Sequence, residues 1–108
     1  MREDMNAVEM QAFRALAAQQ KRLARDATRL YAAEVDAILR TEGRDRRRIE
    51  QLLDGMLGFC FDEGMLLLFK KLCRHYFRID PAATADYVHT YRKMWEDEPN
   101  ETRSNAAV

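Results

Sequence analysis

The chain has 108 residues, which is the length of a single domain. Hydrophobic residues make up 47% and charged residues 33%, so the composition is that of a globular protein rather than of a disordered chain. Its 18 basic and 18 acidic side chains give a formal net charge of zero, which argues against a dedicated nucleic-acid binder. The longest apolar run, residues 65–69, is far too short to cross a bilayer, so we expect no membrane partner.

The two cysteines and the first residues indicate where the protein works. Cys60 and Cys73 each lie in an apolar stretch, as small buried hydrophobic residues do, and two cysteines are too few for a disulfide framework. Residues 1–10 contain no apolar run, so they do not form a signal peptide. We therefore expect a reducing, cytoplasmic location.

The first predicted element is a long helix over about residues 4–40, because strong helix formers fill it and no glycine or proline occurs before Gly43. Its first half carries apolar residues at the spacings of three, four and seven that are typical of a coiled-coil seam. We call six positions the apolar stripe: Phe13, Leu16, Gln20, Leu23, Ala27 and Leu30. From Leu30 onward the apolar face widens, so we expect residues 30–39 to join the core while the first half projects or pairs.

Gly43 is predicted to end this helix as a left-handed residue, and Asp45 to cap a second helix over about residues 46–61. Gly55 and Gly58 fall inside that second helix, three residues apart. Two interpretations stay open for this pair. Glycines at this spacing let another helix approach closely, or they mark a bent or frayed helix end.

A third helix is predicted over about residues 63–78. Its first two turns are apolar on nearly all sides, as expected of the buried centre of a domain. Asp80 and Pro81 then form a strong start signal for a fourth helix over about residues 81–98. The aspartate can accept from free backbone N–H groups, and proline suits the first helical position, where no donor is needed.

The whole chain contains only four glycines and two prolines, which favours helices with short connections over a sheet. The predicted fold is therefore all-α, a small four-helix bundle with a long N-terminal helix, in one domain over residues 1–100. Residues 101–108 are small and polar, and we expect them to form a disordered tail.

Four side chains are candidates for metal binding or catalysis: Cys60, Cys73, His75 and His89. No two of them have the short spacing that places two ligands on one metal, and Cys73 and His75 point to different faces of one helix. No glycine-rich phosphate loop and no nucleophile motif occurs either. The sequence therefore predicts no metal, no cofactor, no catalytic residue and no enzymatic activity.

Basic residues form two candidate nucleic-acid contacts despite the neutral net charge. Lys21, Arg25 and Arg29 recur every fourth residue and so share one face of the first helix. The second group follows Gly43 and consists of Arg44, Arg46, Arg47 and Arg48. Such groups could contact phosphates, although a solvated helix face is the more favoured interpretation. A DNA- or RNA-associated accessory factor is thus the alternative function.

The apolar stripe favours a different function. A helix over residues 4–40 would be about 55 Å long, whereas the later helices would reach only about 25 Å, so they can cover about half of it. The stripe therefore needs an external partner, and a second copy of the chain is the commonest kind. We expect a small helical interaction or adaptor protein that forms a homodimer through its N-terminal helix or docks on another helical protein.

Overall fold

The computed structural model describes residues 6–96. Four α-helices follow one another: α1 (Ala7–Thr41), α2 (Arg46–Leu57), α3 (Glu63–Phe77) and α4 (Pro81–Tyr91). A π-helix of five residues, Arg92–Glu96, continues α4. The described residues contain no strand, so the prediction of an all-α helical bundle with a long N-terminal helix is confirmed. The tail predicted over residues 101–108 lies outside the described residues.

Aspartate side chains fix the starts of α2, α3 and α4 by accepting hydrogen bonds from free backbone N–H groups. Asp45 and Asp80 accept from the backbone nitrogen three residues further on, at 3.1 Å and 3.0 Å. Both caps are predicted from the sequence, and both are confirmed. Asp62 caps α3 in the same way at 3.0 Å, and the hydroxyl of Thr28 on α1 also donates to it at 3.0 Å.

The C-terminal capping residue of α1 is Glu42, which the sequence does not identify as a cap. Glu42 adopts the left-handed conformation, with φ of 50°, whereas Gly43 does not, so the prediction for Gly43 is wrong. The reason lies in the backbone hydrogen bonds: Glu42 donates to Leu39 at 3.3 Å and Gly43 donates to Ile38 at 2.9 Å, which closes the helix here. The carbonyl oxygen of Gly43 also lies 2.7 Å from Nε2 of His75, which ties this turn to α3.

α2 ends at Leu57 and not at about residue 61, as the sequence predicts. Gly58 follows as the C-terminal capping residue, because glycine is a poor helix former. The chain then turns, and the backbone N–H of Asp62 donates to the carbonyl oxygen of Phe59 at 3.0 Å, so that Asp62 is placed to cap α3. For Gly58, the interpretation as a helix end is therefore confirmed.

Gly55 has a different role from Gly58. A Cβ atom at Gly55 would lie 2.0 Å from Oη and 3.0 Å from Cζ of Tyr31, a side chain of α1. A Cβ atom at Gly58 would meet nothing within 4 Å. The interpretation of close approach is therefore confirmed for Gly55, although the approaching group is an aromatic ring and not a helix backbone.

We expect Gly55→Ala to lower the free energy of unfolding by about 1–3 kcal/mol, because the clash with Tyr31 outweighs the gain in helix propensity. Adding Tyr31→Phe removes the clashing hydroxyl and should recover part of the loss. Gly58→Ala is the control, and its effect should stay below about 1 kcal/mol. Urea unfolding measures all four chains, and equal losses at the two glycines would contradict this packing.

α3 is the centre of the fold, because it contacts α1, α2 and α4. Its buried side chains are Met65, Phe69, Leu72, Cys73 and Tyr76. α2 adds the buried side chains of Ile49, Leu52, Leu53, Met56 and Leu57. The buried Tyr76 keeps its hydroxyl satisfied by donating to the carboxylate of Glu50 on α2.

Two leucines that the sequence places in the core face solvent instead. Leu30 is 73% exposed, because it is turned about 100° around α1 from Tyr31, the residue that packs against α2. Leu67 is about half exposed, because neighbouring helices cover α3 on three sides and leave the fourth open. The prediction that the first two turns of α3 are buried all round is therefore wrong at Leu67.

Beyond α4 the chain stays helical, but as a π-helix and not as an α-helix. It is α-helical as far as Tyr91 and π-helical over Arg92–Glu96, and the predicted residues 97–98 lie outside the described residues. Within the π-helical turn, the indole N–H of Trp95 donates to the carbonyl oxygen of Leu57 at 2.8 Å. This bond satisfies a carbonyl at the end of α2 and ties the two helix ends together.

Candidate interaction surface on the first helix

The N-terminal half of α1 projects beyond the rest of the fold. Residues 7–22 are exposed except for Met10, which is half-buried, and the first buried side chain of α1 is Ala24. Asn6 and Glu9 form a capping box, in which the Asn6 side chain accepts at 2.8 Å and the Glu9 side chain accepts at 3.1 Å. The helix therefore has a well-defined start, although little in the described chain covers its first half.

The apolar stripe lies largely on this projecting half. Its large members are exposed by 60% at Phe13, 56% at Leu16, 49% at Leu23 and 73% at Leu30. Gln20 is exposed as well. Ala27 departs from this pattern, because it is half-buried and packs against the core cluster. Such a row of large apolar side chains on one helix is typical of an interaction surface.

The stripe leads into a groove between α1 and α2. This groove has a volume of about 590 Å³ and is lined by Ala27 and Leu30 of the stripe together with Tyr31 and Leu52. Apolar side chains thus extend along α1 from Phe13 to the groove, which Arg29, Glu34 and Arg48 also line. A partner helix lying on the stripe could place an apolar side chain in the groove.

The positions flanking the stripe carry no charge over its first turns. At 100° per residue, the positions on either side of Leu16 and Gln20 are occupied by Ala12, Ala17 and Gln19, all of them exposed. Alanine leaves room for a second helix to approach closely. No like charges would therefore meet when a second helix packs along this part of the stripe.

The three basic residues that share one face of α1 lie in two different environments. Lys21 and Arg25 line a shallow pocket beside the acidic residues Asp62 and Glu63. Arg29 forms an ion pair with Asp26 at 2.6 Å. Nearby carboxylates thus offset charge that a phosphate backbone would need.

The predicted arginine cluster is also partly neutralised. Arg46 is paired with Asp80, and Arg48 is paired with Glu34 of α1. Arg44 and Arg47 are exposed and form no ion pair among residues 6–96. Arg48 and Arg29 lie on the same groove between α1 and α2, so the structure brings together one residue from each basic group. Nucleic-acid binding stays a prediction with no observation in its favour.

The candidate catalytic and metal-ligating side chains do not converge. Both cysteines are buried free thiols, and His89 is exposed. Nε2 of His75 is hydrogen-bonded to the carbonyl oxygen of Gly43. In the part of the chain that the structure describes, no group of three or more histidine, cysteine or acidic residues could hold a metal ion. Burial raises the pKa of Cys60 to about 11 and that of Cys73 to about 12.

Because the thiolate is the reactive form, both thiols should resist modification in the folded chain. At pH 8 we expect a disulfide reagent to react with folded protein at least about 100-fold more slowly than with protein in denaturant. The absorbance of the thiol that the reagent releases measures the rate of the reaction. Rapid reaction of either Cys60 or Cys73 in the folded protein would show that its burial is incorrect.

Two further surface features are not evident from the sequence. Phe61 contacts Phe59 and Trp95, with ring centroids 6.5 Å and 5.9 Å apart, and thereby joins the turn after α2 to the π-helix. An apolar groove also runs between α3 and α4. Its cations Lys70 and Arg74 are visible in the sequence as a pair spaced four apart, but the groove itself depends on the packing of α4 against α3.

Comparison of the chain with protein-family models, curated proteins and solved structures gives no match. Among the helices described within residues 6–96, none has both the length and the apolar character needed to cross a bilayer.

Proposed function

We propose that the protein is a non-catalytic helical interaction protein that forms a homodimer through the apolar stripe of α1. The observation that carries this proposal is the exposure of Phe13, Leu16 and Leu23 on a helix half that the rest of the described chain leaves uncovered. Covering these side chains with a second helix would remove apolar surface from water, which is the main driving force of association.

The projecting half would also gain stability from a partner. Residues 7–22 continue a helix that packs on the core, but their own side chains pack against little of the described chain, so their helical stability comes mainly from helix propensity. Packing of an amphipathic face against another helix normally supplies the missing stability. A dimer would therefore stabilise both the exposed leucines and the helix that presents them.

A second copy fits the stripe better than an arbitrary partner. Leu16, Leu23 and Leu30 recur every seven residues, as leucines do at one seam position of two-stranded coiled coils. Gln20 sits within the same seam, and its amide can both donate to and accept from the same side chain of a second copy. A single polar residue in such a seam is a known device for fixing register.

We also propose that this dimer works in a reducing compartment, the cytoplasm. The support for this location is the pair of buried cysteines, which stay free thiols and do not form a disulfide.

Sedimentation of the unsubstituted chain tests the proposed function. From low to high micromolar concentration, the mass should rise from that of one chain towards that of two, because dimer stability depends on concentration. A chain that sediments as a monomer throughout this range would exclude the homodimer.

A further inference from the structure

The groove between α3 and α4 is a second apolar surface, separate from the stripe. It has a volume of about 520 Å³, and Phe69 and Cys73 form part of its buried floor. Phe77 on α3 and Val88 on α4 line it from opposite sides, and both side chains are exposed. The groove is therefore open along its length and presents apolar walls to solvent.

Cations border this groove on both sides. Lys70 and Arg74 stand one turn apart on α3, and Arg92 stands on the side of α4. Within residues 6–96, Lys70 and Arg74 form no ion pair, whereas Arg92 lies 3.5 Å from Glu96. Glu96 also lines the groove, so its positive charge is concentrated on the α3 side, at Lys70 and Arg74.

The side of the groove that carries Arg92 is the start of the π-helical turn. π-helical turns are rare and occur frequently at functional sites, where they redirect side chains. Here the change of winding begins directly after Tyr91, whose ring lies 5.8 Å from that of Phe69 in the floor of the groove. The unusual backbone therefore coincides with the edge of the groove that carries the Arg92–Glu96 ion pair.

We propose that this groove binds an acidic amphipathic helix of a partner protein. From Leu66 to Phe77 the α3 side is about 16 Å long, which matches about three turns of a helix. The apolar face of such a helix would lie on the floor, as in other helix-in-groove complexes. Carboxylates on the flank beside α3 would face Lys70 and Arg74, whereas Arg92 on the other side is already paired with Glu96.

A second copy of α1 is the less suitable occupant. The exposed part of α1 carries a surplus of positive charge, contributed by Arg14, Lys21, Arg22 and Arg25 against Glu9 and Asp26. These cations would approach the cations of the groove, and like charges brought together at an interface oppose binding. The proposal therefore does not depend on the homodimer.

A designed peptide of three to four turns tests the proposal. It carries leucines at positions i, i+3, i+4 and i+7 and glutamates on both flanks, and fluorescence anisotropy measures its binding. Two comparison peptides are needed. One carries lysines in place of the glutamates, and the other has the residues of the acidic peptide in scrambled order. We expect the acidic peptide to bind most tightly, and Lys70→Glu with Arg74→Glu to weaken its binding at least about tenfold.

The matched control is Lys71→Glu with Arg78→Glu, which makes the same change of charge at one residue of α3 and at its C-terminal capping residue. Neither side chain lines the groove, so binding should stay within about twofold. Equal weakening by both variants, or equally tight binding of the lysine peptide, would overturn the proposal. Self-association of the chain that Lys70→Glu with Arg74→Glu abolishes and the control does not would also overturn the proposal, because a second copy would then occupy the groove. Binding of laurate at the groove without binding of the peptide would overturn it as well.

Discussion

A chain that carries Leu16→Glu and Leu23→Glu is expected to sediment as a monomer at concentrations where the unsubstituted chain is a dimer. Each dimer would have to bury four new carboxylates in a seam that offers no basic partner at the flanking positions. Burying an unpaired charge costs several kcal/mol, so the dissociation constant should rise at least about 100-fold. Both side chains are exposed in the single chain, so its own core should be unaffected.

The matched control is Ala15→Glu with Ala18→Glu. Both residues are exposed, lie about 120° and about 180° around α1 from the line between Leu16 and Gln20, and receive the same added charge. The control should dimerise as the unsubstituted chain does, and circular dichroism should show equal helix content in the two variants at high dilution. Equal loss of the dimer in both variants would mean that added charge, and not the stripe, controls association.

Leu72→Ala is expected to lower the free energy of unfolding by about 2–5 kcal/mol. Leu72 is fully buried at the centre of α3, where α1, α2 and α4 surround the helix, so its truncation leaves a cavity. A loss of this size is a large fraction of the stability of a small domain. Many molecules would then be partly unfolded near physiological temperature.

Leu67→Ala supplies the comparison on the same helix. Leu67 is 54% exposed on the open side of α3, so the same truncation should cost less than about 1 kcal/mol. Urea midpoints at one protein concentration compare the two variants, because dimerisation makes the midpoint depend on concentration. A similar loss at both positions would mean that a partner covers the open side of α3.

The starts of α2 and α4 could be predicted from the sequence because their causes are local, whereas α1 begins at Ala7, after the cap Asn6, and not at about residue 4. Asp45 and Asp80 cap the next helix through backbone groups three residues away, and Pro81 needs no donor at its position. Gly55 and Gly58 show the limit of this reasoning. Both are equally poor helix formers, and only the position of Tyr31 on another helix separates their roles.

Packing between distant elements explains the remaining differences. Leu30 begins the wider apolar face that is predicted to join the core, yet it is exposed because α2 packs against the neighbouring face of α1. The bond from Trp95 to Leu57 and the pairing of Arg48 with Glu34 depend on crossing geometry that no local pattern contains. The stripe itself is periodic in sequence, whereas the groove between α3 and α4 needs two helices to form.

Amide hydrogen exchange of the unsubstituted chain tests the central claim most directly, because it reports on the stripe residue by residue. We predict that exchange over residues 10–23 slows as the concentration rises above the dissociation constant, while exchange by local opening in the turn over residues 42–45, which the second copy would not cover, stays nearly unchanged. The same rates over residues 10–23 at every concentration would contradict the claim that a second copy covers the stripe.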